Sequence, residues 1–322
     1  MNTPNTPILY IVVPCYNEEA VLWESSKQFL AVLSDMISKN IISDNSKILF
    51  VNDGSKDRTW EIIDELSQKD KHFAGACLAK NRGHQNALLS GLMAAKEYAD
   101  ITISIDSDLQ DDINAVYEMV DKYKKDNCEI VFGVRSKRTT DTFFKRFTAQ
   151  AFYKLMKNMG VDIVYDHADY RLLSKTALES LSEYNEVNVF LRGIVCDLGY
   201  KTDVVYYERN ERFAGESKYP LKKMLSFAFQ GISSFSISPI RLITSFGFIM
   251  FVLSMCATAY ALISLLFGRV MPGWTSLLIS IWFIGGVQLL SIGLIGEYIG
   301  KIYMETKARP KYIISEKRNL GI

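Results

Sequence analysis

Two uncharged stretches late in the chain constrain its fold more than any other feature. From Leu242 to Gly268 there are 27 residues without a charge, and from Trp274 to Gly296 there are 23. A helix needs about 20 apolar residues to cross a hydrocarbon core about 30 Å thick, so each stretch predicts one membrane span. Buried helices of soluble domains rarely hold more than about 18 uncharged residues in a row. Only Arg269 to Gly273 lie between the two, which predicts a helical hairpin over 239–300 with both flanks on one side. Lys218, Lys222, Lys223 and Arg241 precede it and Lys301, Lys307, Arg309, Lys311, Lys317 and Arg318 follow it, against Arg269 alone in the connector. The excess of basic residues on the flanks predicts a cytoplasmic location for both termini and for residues 1–219. The apolar run Ile8 to Val13 is too short, and lacks the basic flank, for a signal peptide. Residues 301–322 then form a cytoplasmic tail.

Before the first span, Leu221, Leu225, Phe229 and Ile232 recur at helical spacing beside Lys222 and Lys223. That pattern predicts an amphipathic helix over 220–238 lying in the membrane interface. An amphipathic helix packed on the soluble domain would read the same way.

The remaining 219 residues read as an α/β domain. Short apolar, β-branched runs stand at Ile8–Val13, Ser46–Val51, Ile101–Ile105 and Glu129–Gly133, with helix-like stretches at Glu18–Lys39, Thr59–Lys69 and Gln85–Tyr98. Strands alternating with helices predict a parallel sheet with right-handed crossovers, whose ligands collect at the carboxyl ends of the strands. Lys and Arg number 37 against 36 Asp and Glu, so no overall basic field favours nucleic acid and any phosphate binding is local. The five cysteines are scattered and never form Cys-x-x-Cys, which excludes a zinc site of that type and a disulfide framework.

The polar motifs follow three of those strands. In Ser104-Ile105-Asp106-Ser107-Asp108-Leu109-Gln110-Asp111-Asp112, Asp106 and Asp108 reach one side of a turn together. There they repel unless a cation lies between them or one takes a proton. Oxygen ligands of this kind select a hard divalent ion, Mg2+ or Mn2+; solvated loop acids are the ordinary alternative. In Asn52-Asp53-Gly54-Ser55-Lys56-Asp57-Arg58-Thr59, Gly54 permits a sharp turn, Asp57 and Thr59 suit helix capping, and Asp53 at the strand end is expected to point outward toward a ribose or base. His84 and His167 lack metal-ligand spacing to another His or Cys.

With these residues in hand, the chain resembles the family 2 inverting glycosyltransferases of the GT-A fold, a Rossmann-like nucleotide-sugar-binding domain. The resemblance is carried by Val12-Val13-Pro14-Cys15-Tyr16-Asn17-Glu18-Glu19, Val51-Asn52-Asp53-Gly54-Ser55, Asn81-Arg82-Gly83-His84-Gln85-Asn86-Ala87 and Asp106-Ser107-Asp108-Leu109-Gln110-Asp111. Asn52 stands where the family often has a second Asp. Phe132-Gly133-Val134-Arg135, Asp169-Tyr170-Arg171-Leu172, Arg212-Phe213-Ala214-Gly215-Glu216-Ser217-Lys218-Tyr219 and the two-span tail are similar to the polyisoprenyl-phosphate branch. That resemblance implies a nucleotide diphosphate sugar as donor, with UDP-glucose favoured by the two spans and the Arg309-Pro310 tail. It implies undecaprenyl phosphate or a similar polyprenyl phosphate as acceptor, at the inner membrane, for cell-envelope glycosylation. It further implies a metal on Asp106 and Asp108 and a catalytic-site role for Asp169, with a structural, buried ion pair between Asp169 and Arg171 as the alternative. Pro14, Tyr16, Glu18, Asp53, Asp106 and Gln110 would hold the nucleotide sugar, and Arg135, Arg146, Arg212 and Lys218 the acceptor phosphate. A processive polysaccharide synthase shares the donor half, but neither a Gln-x-x-Arg-Trp motif nor further spans follow Tyr219. A catalytically silent membrane scaffold is the alternative from another class, and a homo-oligomer is left open.

Overall fold

The most apolar strand of the soluble part sits at the centre of its sheet. In the computed structural model, which describes residues 6–136, 167–186, 189–208, 238–266 and 273–321, β1 (Leu9–Cys15) is buried at all seven positions. It lies parallel to β2 (Lys47–Asn52) on one side and β4 (Ile101–Ser104) on the other, and β3 (Phe73–Leu78) extends the parallel set beyond β2. Helices α1 (Leu22–Ser38), α2 (Thr59–Lys69) and α3 (His84–Ala95) make the crossovers. Helix α3 lies close on the strands because Gly91 has no side chain; a Cβ there would stand 2.5 Å from Val12 and 2.6 Å from Val51. The loops after β1, β2, β3 and β4 therefore open at one edge, as parallel strands require.

The sheet is mixed, which corrects the all-parallel expectation. Beyond β4 come α4 (Ala115–Asp126), β5 (Ile130–Arg135), β6 (His167–Ser174), α5 (Lys175–Ser182), α6 (Leu191–Asp197) and β7 (Thr202–Tyr207). The full order is β7-β5-β6-β4-β1-β2-β3-β8, where β8 is Ile314–Arg318, with β6 antiparallel to both neighbours. Because β6 runs backwards, its first residues lie where β4 ends: Ser104 pairs with Arg171, and the Ser104 hydroxyl donates to the Asp169 carbonyl at 2.6 Å.

The eighth strand comes from the expected tail. Helices α7 (Ser238–Leu266) and α8 (Trp274–Thr306) form a separate compact unit, after which β8 (Ile314–Arg318) returns to pair antiparallel with β3. Around it, Lys47 Nζ donates to the carbonyls of Asn319 at 2.6 Å and Gly321 at 2.7 Å, the Tyr10 hydroxyl donates to Leu320 O at 2.8 Å, and Arg318 pairs with Asp64. Helix α8 also runs ten residues past Gly296, since an uncharged run measures a span and not the helix that contains it. The expected interfacial helix over 220–238 and the hairpin connector up to residue 272 lie outside the described residues, apart from Ser238, which opens α7.

These contacts make the C-terminal strand part of the sheet. Tyr10→Phe removes one buried hydrogen bond worth about 1 kcal/mol and should lower the melting midpoint by roughly 2–4 °C. Deleting residues 310–322 should lower it further by uncovering β3. An unchanged midpoint in the deleted chain, followed by circular dichroism, would contradict this role.

Candidate active site

The loops after β1 and β2 are laced into one surface. The backbone N–H of Asn17 donates to Ser55 Oγ at 3.0 Å, that of Lys56 to Asn17 Oδ1 at 2.9 Å, that of Glu18 to Thr59 Oγ1 at 2.9 Å and that of Arg58 to Glu19 Oε2 at 3.0 Å. Asn17 sits at φ +56°, a left-handed conformation that Asn tolerates better than most residues. Asp57 and Thr59 hydrogen-bond to each other at 2.6 Å at the start of α2. Tyr16 is left 43% exposed on this surface, whereas Pro14 is buried inside β1 and Glu18 is half-buried.

Asp53 does not point outward. It is 2% exposed, and its two oxygens accept the backbone N–H groups of Arg82 at 2.7 Å and Gly83 at 2.9 Å. The physical reason is that the turn into α3 presents N–H groups with no helical partner, and a buried carboxylate satisfies them. Gly54 makes the approach possible: a Cβ would stand 2.6 Å from Asn81 N, and the residue holds φ +63°. Asp53 thus fixes the start of α3, where His84 and Gln85 begin the helix.

Those two side chains meet a buried carboxylate on β6. Asp169 Oδ1 accepts Arg171 Nη2 at 2.5 Å and Arg192 Nε at 3.2 Å. Its Oδ2 accepts Arg192 Nη2 and Gln85 Nε2, each at 3.2 Å, and lies 3.4 Å from His84 Nε2. Burial pushes this carboxyl up, but Arg192, His84 and Arg171 outweigh it and hold Asp169 well below the usual carboxylate range. Arg171 is 1% exposed and also donates to Leu191 O at 3.2 Å. Strand β6 and helices α3 and α6 are joined through this one side chain.

Asp106 lies beside the cluster, with its Oδ1 3.7 Å from His84 Nε2 and its side chain 39% exposed. Burial first, then the carboxylates of Asp169, Asp111 and Asp108, push its pKa up to about 6 in spite of the pull of His84. Asp108 Oδ1 accepts the backbone N–H of Gln110 at 3.2 Å, and Leu109 between them holds φ +56°. Gln110 is 9% exposed. Among the described residues no group of three or more His, Cys, Asp or Glu is placed to hold a metal ion. Two partly exposed carboxylates in one turn, Asp106 and Asp108, nevertheless fit a hard divalent cation, which takes few protein ligands and fills the rest from substrate phosphates and water.

Of the expected acceptor-phosphate residues, Arg135 donates to Asp111 at 3.1 Å through Nη2, while Arg146, Arg212 and Lys218 lie outside the described residues. Sequence reasoning missed Arg192 and gave Gln85 no role. Gln85 stands in a quoted motif, but Arg192 follows no strand and carries no spacing signal, so only the packing of α6 brings it to Asp169.

Two family models match the chain. Residues 10–182 match glycosyl transferase family 2, and residues 238–302 match the GtrB C-terminal hairpin. The chain belongs to glycosyl transferase family 2. This glycosyltransferase is 56% identical over 308 residues to the glycosyltransferase YkoT of Bacillus subtilis, covering 96% of this chain and 91% of the other. It is 39% identical over 313 residues to the bactoprenol glucosyl transferase of Shigella phage SfV, covering 96% and 98%. Against a glucosyl-3-phosphoglycerate synthase structure from Mycobacterium tuberculosis, the TM-score is 0.44 at 19% identity over 70% of this chain and 76% of the other, too distant to carry an argument.

The cluster around Asp169 generates a direct test. Asp169→Asn leaves the Arg171 guanidinium buried without its counter-charge and should cost about 3–5 kcal/mol, measured by chemical denaturation, along with the transferase activity. Adding Arg171→Met should recover part of the stability and none of the activity. A single variant as stable as the wild type would contradict the cluster.

Proposed function

We propose that this glycosyltransferase moves a hexose, glucose first, from a nucleotide diphosphate sugar to a membrane polyprenyl phosphate with inversion at the anomeric carbon. UDP-glucose and undecaprenyl phosphate are the favoured pair, and the product is a lipid-linked sugar for cell-envelope glycosylation. The observation that carries this reading is similarity along the whole length, hairpin included, to bactoprenol glucosyl transferases at 37–39% identity.

The chemistry follows from the site. One oxygen of the acceptor phosphate attacks the anomeric carbon while the bond from that carbon to the donor diphosphate breaks, and the nucleoside diphosphate leaves with the electron pair. A phosphate is already ionised at neutral pH, so no general base is needed. Asp169, whose oxygens accept from two guanidiniums and an amide, is unsuited to be one. Its task in this reading is to hold His84, Gln85 and Arg192 around the reacting centre. Asp106 and Asp108 would hold Mg2+ or Mn2+, which when bound supplies positive charge to the leaving diphosphate. Tyr16 and the loop up to Glu18 would take the nucleoside, with Pro14 acting from inside β1 only by setting where that loop starts, Gln110 beside them and Asp53 acting one step back through the turn before α3. Arg146, Arg212 and Lys218 are suited to the acceptor phosphate, since cationic side chains position anions.

The hairpin belongs to the same reading. Helices α7 and α8 hold 29 and 33 residues, or roughly 44 and 50 Å at about 1.5 Å per residue, enough to cross a bilayer. Within the described residues, Phe283–Thr306 is long and apolar enough by composition. Exposed Phe248, Leu253, Leu277 and Leu289 along both helices suit lipid. We place the chain in the inner membrane as a two-span protein with the sheet domain and both termini cytoplasmic. Confinement beside the bilayer raises the effective concentration of a lipid acceptor.

One experiment tests the whole. The full chain is reconstituted in vesicles containing undecaprenyl phosphate, offered a panel of nucleotide sugars, and assayed by mass spectrometry of the lipid extract. A parallel chain carries a flexible linker in place of residues 222–309 and keeps β8. The full chain should give one hexose on the lipid with UDP-glucose, and EDTA or Asp108→Asn should stop it. The linker chain should keep nucleotide binding, lose most transfer to the long-chain acceptor and still use a short water-soluble prenyl phosphate. Polymer without lipid-linked monomer would favour a processive synthase, and no transfer with any donor would favour a silent scaffold.

A further inference from the structure

The loop that carries Asp106 and Asp108 is held at its far end by side chains from three strands. Asp111, five residues past Asp106, has a side chain only 2% exposed. Its Oδ1 accepts the Tyr207 hydroxyl at 2.7 Å, Arg135 Nη2 at 3.1 Å and, more weakly, Arg135 Nε at 3.4 Å. Tyr207 is 3% exposed at the end of β7, and Arg135 ends β5. Tyr170 on β6 packs edge-on against Tyr207, with ring centroids 5.3 Å apart and planes at 71°, and its hydroxyl donates to the Asp112 carbonyl at 3.0 Å. The near end of the loop is continuous with β4. Between the two anchors Leu109 holds the left-handed φ of +56°, a conformation costing about 1 kcal/mol or more in a non-glycine residue that persists only where the surroundings over-determine it. A buried carboxylate in turn keeps its donors, because leaving it unpaired in the interior is expensive.

We infer that Tyr207 is a positioning residue: with Arg135 it grips Asp111 and so sets how the turn presents Asp106 and Asp108. The inference rests on the reading that those two carboxylates hold a divalent cation. It assigns Arg135 to the grip on the loop. It also gives β7, at the sheet edge, a part in the site that its distance in sequence hides.

Two kinds of effect must be separated, because removing the Asp111 charge would weaken cation binding through electrostatics alone. Tyr207→Phe leaves every charge in place, keeps the ring against Tyr170 and deletes only the hydroxyl. The test titrates Mn2+ in the presence of UDP into the purified full-length protein and follows free Mn2+ by electron paramagnetic resonance, with the melting midpoint recorded alongside. Tyr207→Phe should weaken Mn2+ binding roughly tenfold, the scale seen when outer partners of metal ligands are lost. Its midpoint should stay within a few degrees of the wild type, and saturating Mn2+ should restore turnover. Tyr170→Phe, which also leaves every charge in place and removes the hydrogen bond to the Asp112 carbonyl, should weaken binding in the same direction and carries the test if Tyr207→Phe fails to fold. Folded variants that bind Mn2+ like the wild type overturn the inference alone. A wild type that binds no Mn2+ overturns the reading of Asp106 and Asp108, and the inference falls with it.

Discussion

A desolvated carboxylate has to be neutralised where it lies, and the arrangement of this site depends on how that is done for Asp169. Two guanidiniums, an amide and an imidazole converge on it from β6, α3 and α6. The four partners come from three stretches of chain, so satisfying one charge fixes the relative placement of three elements at the carboxyl edge of the sheet. Removing the carboxylate leaves buried guanidinium charge, which is why such clusters resist rearrangement.

Asp106, a neighbour across His84, sits in the opposite environment. Burial and the surrounding carboxylates push it up to about 6, while Asp169 is held low. Carboxyl groups driven apart in this way have different tasks. The low one is saturated with donors and serves as a brace, and the high one is the carboxylate that the proposed reading gives to a cation. The same division runs through the neighbouring loops, where Asp53 and Asp111 are buried braces and Asp108 stays half-exposed in the turn between Asp106 and Asp111.

The positions of the motif loops were legible in the sequence because parallel strands send their connections to one edge, and Pro14–Glu19, Asn52–Thr59 and Asp106–Asp112 all begin at or just past the carboxyl ends of strands that are parallel in the structure. Side-chain direction was not legible. Asp53 stands at a strand end like a ligand-binding residue, but the turn at Arg82 and Gly83 supplies buried N–H groups that claim it. Strand β3, with Ala-Gly-Ala at its centre, lacks the β-branched signature that marked its neighbours. Strand β8 reads Ile-Ser-Glu-Lys-Arg, a charged edge whose partner lies about 240 residues earlier, so no local pattern announces it. Arg192 reaches Asp169 only through the packing of α6. The resemblance to a known family put Asp169 at the site, beside Arg171 as an ion-pair partner; His84, Gln85 and Arg192 as its further partners came from the structure.

The return of β8 also bears on the membrane. A chain that leaves a folded domain and comes back to it can cross a bilayer only an even number of times, so the two-span reading proposed above keeps the acceptor's phosphate and the sheet domain on one side. If a phosphate arriving from that side attacks the sugar directly, with Asp169 too fully engaged to act as nucleophile, the reaction is a single displacement. The anomeric configuration of the lipid-linked product tests this most directly. Proton NMR of the product made from an α-linked nucleotide sugar should show a β-linked hexose phosphate, and an α-linked product would contradict the account.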